Sequence, residues 1–302
     1  MIRVRTQTNS DLWRCPTIMR AFDPEVVDTV WAAIGPLLPP HPDTHPLGCH
    51  RTRASDRDCF EVMLVRLVTG CSFEDAEHLC GDKVSDTTVR VRRDEWVEAG
   101  VFDRIAEEAI CAYDKIIGLD LSEVAVDGSI HKARGGGEGT GPNPTDRGRP
   151  GWKWSIATEA AGIPVGWTSA GAQRHDSVLL EPTLRALGDR GLLEDVETVH
   201  LDRGYDSAVT RDRLLRLGIT DALIGKRRKA GTATAKRAVP LGLRWPVERT
   251  NSWLSNFGQL RRNSDRKLHH RLAQFALAIV FLITAKLIDW RNRWCPDSVP
   301  IR

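Results

Sequence analysis

Apolar residues at Val26, Val27, Val30, Trp31 and Ile34 recur at the spacing of a helix with one buried face. Asp23, Pro24 and Glu25 precede them as N-cap, first-turn proline and first-turn acid. A second helix is predicted over Asp58 to Thr69. Ser72 with Asp75 forms a capping box for a short helix to Leu79, and Ser85 caps another from Thr87 to Trp96. Phe102 to Tyr113 carries one more helical pattern. From Ile116 the period changes. "LSEVAVDGS" alternates as a strand ending near Asp127, and "WKWSIATEAAGIPVGWTSAG" reads as two strands joined at Glu159 to Gly162. Then follow a helix capped by Asp176, the strand "VETVHLD", the helix "SAVTRDRLLRLG", the short strand "TDALIG", the helix "RWPVERTNSWLSNF" and a long apolar helix from Lys267 to Trp290.

Helices followed by alternating strands and helices predict an α/β domain behind an all-helical one. The boundaries fall as a flexible segment 1–21, a helical domain 22–115, an α/β domain 116–290 and a tail 291–302. "CGDKVS" between two short helices, the second carrying Arg90, Arg92 and Arg93, gives a helix-turn-helix outline; a plain helical hairpin has the same pattern.

Composition narrows the class. The 302 residues are 41% hydrophobic and 27% charged, as in a globular protein. The longest apolar run, Phe275 to Ala285, is short of the roughly 20 residues of a membrane span, so no membrane partner and a cytoplasmic location are expected. Seven cysteines without a CxxC argue against a disulfide framework. His41, His45, Cys49 and His50 have metal-ligand character but lie in a proline-rich connector.

Charge changes the picture more. Net charge is +3, yet the segment from Lys226 to Arg271 holds 13 Lys/Arg against Glu248 and Asp265, a local excess of +11. Such asymmetry points to a polyanionic partner. Three acids stand in context: Asp127 and Asp202 at predicted strand ends, and Glu248 on the helix after the last strand, with Arg244 four residues before it and Asn251 and Ser252 just after. Converging carboxylates repel unless divalent cations hold them, and Mg²⁺ takes oxygen ligands of this kind. Two such ions can clamp the attacking and leaving oxygens of a phosphoryl transfer. Two of them also have ordinary readings, Asp127 as a turn residue beside Gly128 and Glu248 as a partner of Arg244, and the nearby Asp206 reads as the cap of the next helix.

"VDGS", "LDRGYDS" and "RWPVERTNSWLSNFGQLRR" resemble the three signature blocks of bacterial insertion-sequence transposases with an RNase H-like DDE catalytic domain, in the "insertion sequence five" branch of the "insertion sequence four" group. "SAGAQRHDSVLLEPTL" resembles the family's segment between its first two acids. The resemblance implies an RNase H-like mixed sheet flanked by helices. It implies catalytic and metal-ligating roles for Asp127, Asp202 and Glu248, and two Mg²⁺ ions, with Mn²⁺ an alternative. It further implies double-stranded DNA as partner, both element ends and target, and a homodimer on DNA. The group's last motif places Tyr, Arg, Glu and Lys where this chain has Leu241, Arg244, Glu248 and Ser255, so its outer positions differ. Arg249, Arg261 or Arg262 is expected to replace the missing lysine. DNA contacts are further expected from Arg244, Lys226, Arg227, Arg228, Arg90, Arg92 and Arg93. A non-catalytic DNA-binding descendant is the alternative. A haloacid-dehalogenase-like phosphatase is excluded because Ala125 occupies the nucleophile's place. The glycine-rich "ARGGGEGTGPNPTDRGRPG" lacks G-K-[ST] and reads as a loop near DNA, with Lys132, Arg134, Arg147 and Arg149.

Overall fold

A computed structural model describes residues 20–41, 53–225 and 244–295. Lys226, Arg227, Arg228, His45, Cys49 and His50 lie outside them. The capping signals act where the pattern put them. α1 (Pro24–Ile34) starts on Asp23, whose side chain accepts the Glu25 N–H. α2 (Asp56–Thr69) starts two residues earlier than expected because Ser55 is its cap. α3 (Phe73–Leu79) has the Ser72–Asp75 capping box, and α4 (Asp86–Glu98) starts on Ser85. α5 (Val101–Ile116) completes the helical segment.

Four strands follow: β1 (Glu123–Ala133), the short β2 (Gly141–Pro142), β3 (Pro150–Thr158) and β4 (Pro164–Gly171). Then come α6 (Asp176–Gly188), β5 (Thr198–Leu201), α7 (Ala208–Arg216), β6 (Asp221–Ile224), α8 (Arg244–Leu254), α9 (Gly258–Arg261), β7 (Arg262–Asn263) and α10 (Leu268–Trp294). The main sheet runs β4-β3-β1-β5-β6, with β2 on β3 and β7 on β1. β4, β3 and β1 are antiparallel; β1, β5 and β6 are parallel. An antiparallel three-strand meander whose first strand is joined by two parallel strands is the order of the RNase H-like fold.

β1 does not stop near Asp127. It continues to Ala133 because Ser129 to Lys132 keep pairing with β3, and β7 then adds beside Lys132. Its parallel ladder with β5, by contrast, ends at Val126 opposite Leu201.

The two faces of the sheet bury different helices. Val124, Val126, Val199 and Leu201 pack with α6 through Leu180, Leu184 and Leu187. Ala125, Trp152, Trp154 and Ile156 face α8 and α10 through Val247, Leu254 and Phe275. α1, α2 and α5 join that second core without a break; the Phe60 and Phe281 rings stack at 6.4 Å. α10 is long and apolar enough to cross a membrane by length and composition. Here its residues from Phe275 to Thr284 are buried between the sheet and the N-terminal helices. At about 1.5–3 kcal/mol for each large apolar side chain buried, α10 is the main adhesive of the molecule.

A polar latch reinforces that seam. Arg66 on α2 reaches Asp265 at 3.1 Å, both nearly buried, and Arg93 approaches the same carboxylate at 3.5 Å. Arg271 donates to the Asp265 carbonyl at 2.8 Å and to the Glu138 carbonyl at 2.6 Å, which ties down the glycine-rich loop. Gly70 ends α2 in the left-handed region, and its backbone touches that of Gly258, where an added Cβ would lie 2.3 Å from the Thr69 oxygen.

Removing the Asp265 carboxylate leaves the buried Arg66 guanidinium without its acid, while Arg93 keeps Asp94. Asp265→Ala is therefore expected to lower unfolding free energy by about 3–5 kcal/mol, read from urea denaturation. A second expectation concerns Glu159, at the β3–β4 turn. Burial, only partly offset by the N–H groups of Ala161 and Ile163, pushes its carboxyl from 4.5 to about 7. The folded state then holds a proton that the unfolded chain releases. Its contribution is complete below about pH 4.5 and declines as pH rises through 7. Glu159→Gln should flatten that decline in denaturation curves taken from pH 4 to 8 (about the span of the two values).

Candidate active site

Strand alternation and register bring the first two acids together. Val126 and Leu201 are partners and both face α6. The next residues, Asp127 and Asp202, therefore sit side by side at the point where β5 stops, turned toward the α8 face. Asp202 also accepts the Arg203 N–H at 2.6 Å, capping the one-turn helix Arg203–Tyr205. That turn drops Tyr205 into the fold, where it is 2% exposed. Burial, followed by the charges of Asp176, Asp127 and Asp202, pushes its phenol well above the ordinary range. The phenol therefore stays protonated. Its hydroxyl lies near Ser155, which already accepts the Thr183 hydroxyl at 2.8 Å.

Asp176 was expected only as a helix cap. His175 is the cap instead, its ring accepting the Ser177 N–H at 3.2 Å. Asp176 turns inward to Lys153, a 4% exposed lysine on β3, at 2.9 Å. Lys153 also donates to the Arg174 carbonyl at 2.9 Å. Gly128 makes this possible: a Cβ there would lie 2.2 Å from Asp176 Oδ1. The Asp127–Gly128 pair is accordingly mid-strand and no turn. Asp206 likewise does not cap α7; Ser207 accepts the Thr210 N–H at 3.1 Å, while Asp206 pairs with Arg211 at 2.7 Å.

Glu248 lies exposed on α8. Neighbours on that helix clamp it to the sheet. Thr250 donates to the Gly162 carbonyl and Arg249 to the Ala161 carbonyl, each at 2.6 Å. Three residues beyond Glu248, Asn251 donates to Asp127 Oδ2 at 3.0 Å. Among the described residues no three acidic, His or Cys side chains gather at a single point.

The basic candidates divide. Arg92 is 3% exposed and pairs with Asp56 and Glu95. Arg93 is held between Asp94, Asp265 and the Phe73 ring. Neither presents its charge to solvent. Arg90 remains on the surface beside Asp86. Arg249 is half-buried between Trp245 and Trp253, and burial lowers its pKa to about 10. Arg244 opens α8, but its side chain lies outside the described structure. Arg261 and Arg262 are exposed, as are Arg266 and Lys267 after them. His131 is buried and stacked on Trp154 at 3.7 Å; burial, then Arg261, pushes it down to about 3, so it carries no charge for a phosphate.

Comparison with known proteins fits this frame. Residues 118–283 match the family described as "Transposase DDE domain". This chain belongs to the DDE transposases. Residues 26–106 match a second family, "Putative transposase of IS4/5 family". The "Putative transposase for insertion sequence element IS402" of Burkholderia cepacia is 39% identical over 167 residues, 53% of this chain and 76% of that protein. An "Insertion element IS402 uncharacterized 16.2 kDa protein" of the same organism is 36% identical over 40% of this chain and 82% of its own length. The solved "Mos1 transposase paired-end complex with left transposon end" is 10% identical over 82% of each chain, with a TM-score of 0.25, too slight a likeness to bear on the fold. Membership in the DDE transposases implies dependence on a divalent metal.

Gly128→Ala should test the Asp176 cradle. It inserts a methyl group where a carboxylate oxygen sits, and an overpacking cost of about 1–3 kcal/mol is expected from thermal or urea unfolding.

Proposed function

We propose that this insertion-sequence transposase binds the inverted ends of its own element, hydrolyses a phosphodiester to free a 3′-hydroxyl, and joins that end to target DNA. The observation that supports this reading is the adjacency of Asp127 and Asp202 where β5 ends, with the Glu248 helix tied to Asp127 through Asn251. The donor set fits a hard divalent cation, since carboxylate oxygens are what Mg²⁺ and Mn²⁺ take. Asp127, Asp202 and Glu248 would hold two Mg²⁺ ions. Bound there, such ions activate the attacking oxygen and stabilise the leaving one. Glu248, exposed on α8, would be the third ligand. Tyr205, buried and kept protonated, adds no charge to that of the aspartates.

Cations for a phosphodiester backbone lie beyond the acids. Lys132 and Arg134 are exposed at the far end of β1, Lys132 beside Asp146, and Arg262 of β7 pairs next to it. Lys132 is five residues along the strand from Asp127, about 17 Å, and leaves it on the opposite face. Arg261, Arg262, Arg266, Lys132 and Arg134 then contact phosphates rather than bases, which orients the DNA without reading it. The protein acts as a homodimer on paired ends, in the cytoplasm.

Asp127→Asn, Asp202→Asn and Glu248→Gln should each reduce end cleavage in Mg²⁺ to background. Binding of the same end DNA in EDTA should remain at wild-type level. Cleavage that survives any of the three removes that residue from the mechanism. Arg261→Ala with Arg262→Ala should lower the slope of log affinity against log salt by about 0.9 for each phosphate that is no longer neutralised. An unchanged slope removes that surface from the DNA path.

A further inference from the structure

Asn251 was visible in the sequence only as a neighbour of Glu248. In the fold it is 7% exposed and sits between two fixed partners. The indole N–H of Trp154 donates to its Oδ1 at 2.8 Å, and its Nδ2 donates to Asp127 Oδ2 at 3.0 Å. An indole nitrogen can only donate. The amide oxygen must therefore face Trp154, and the NH₂ group must face Asp127. The orientation of the amide is decided by the chemistry of its neighbours.

Trp154 is itself immobile. It lies on β3 opposite Ser129, two residues along from Asp127 on the same face of β1, and is fully buried. His131 stacks on it at 3.7 Å, Trp152 meets its edge at 5.1 Å, and Phe275 of α10 closes it at 5.2 Å. The sequence Trp154 to Asn251 to Asp127 thus transmits the rigidity of the sheet core to one carboxylate.

We propose that Asn251 is the positioning residue for Asp127: locked by Trp154, it holds one carboxylate oxygen and so sets the direction in which Asp127 meets the divalent metal. The proposal rests on the reading of Asp127 as a ligand. One physical effect carries it: the N–H donated to Oδ2 selects one rotamer of Asp127 from those open to an unrestrained aspartate. Because Asn251 follows Glu248 by less than one turn, the same bond sets the rotation of α8 against β1, and with it the arc from which Glu248 reaches the site. Outer partners of metal ligands elsewhere are worth 10–100-fold in metal affinity.

The test uses the full chain without DNA. Mn²⁺ binding is measured by calorimetry or by electron paramagnetic resonance for wild type, Asn251→Ala, Trp154→Phe, the double variant and Asp127→Ala. End-DNA binding in EDTA and melting temperature are measured in parallel. Asn251→Ala should weaken Mn²⁺ binding by about 10–100-fold with DNA binding in EDTA unchanged. Trp154→Phe, which leaves Asn251 in place but frees its amide, should weaken it by a smaller factor. The double variant should be no worse than Asn251→Ala, because both changes break one chain of contacts. Should Asn251→Ala fail to fold, Trp154→Phe carries the test. Wild-type Mn²⁺ affinity in the folded variants, with affinity abolished in Asp127→Ala, overturns the proposal alone and leaves Asn251 a structural bridge. Wild-type affinity in Asp127→Ala overturns the proposal together with the ligand assignment beneath it.

Discussion

β1 pairs with β5 in parallel for four residues and stops at Val126 opposite Leu201. Everything at the candidate site follows from where that ladder ends. Inside the ladder Val124, Val126, Val199 and Leu201 pack toward α6 and Ala125 toward α8 and α10, and the buried His200 pairs with Glu123 at the ladder's start. One residue past it, β5 turns away and water reaches the strand edge. Asp127 and Asp202 occupy that first wet position on neighbouring strands. Their mutual repulsion is a cost that the fold offsets with donors: the Asn251 amide for Asp127 and the Arg203 N–H for Asp202. A divalent cation would add to that compensation.

The same ladder end explains why β1 is long. Beyond Asp127 the strand has left β5 behind but keeps β3, and the face toward α8 and α9 is filled by His131 and the tryptophans of β3. That extension carries the sheet from the carboxylates to the exposed cations around β7. A strand that ended at Asp127 would have left the acids and the basic surface on unconnected pieces of chain. The N-terminal helices contribute by another route. They pack on α10, and the Arg66–Asp265 pair fixes α2 to the segment that bears Arg261 and Arg262.

Several sequence patterns were legible because they depend on neighbours along the chain. Caps at Asp23, Ser72 and Ser85, the breaks at glycine, and the alternation of β3 and β4 are satisfied within a few residues, and the structure reproduces them. The arginines of α4 show the limit. Arg92 and Arg93 look like a basic helical face, and nothing nearby reveals that Asp56 and Asp265 will neutralise them across the fold. Asp176 failed for the same reason: its partner, Lys153, is on another strand, and the room for it comes from the missing side chain of Gly128.

The sequence by itself determined the order of elements, the family through its three signature blocks, and the candidate acids Asp127, Asp202 and Glu248. Those are matters of residue type and spacing, which a chain carries before it folds. Only the tertiary structure decided which polar groups stand together. Strand register set Asp127 beside Asp202, the packing of α8 placed Asn251 between Trp154 and Asp127, and burial removed Arg92, Arg93 and His131 from the set of available cations. Hydrogen bonds and ion pairs between residues a hundred positions apart depend on ångström-scale placement, and that placement exists only once the core has packed.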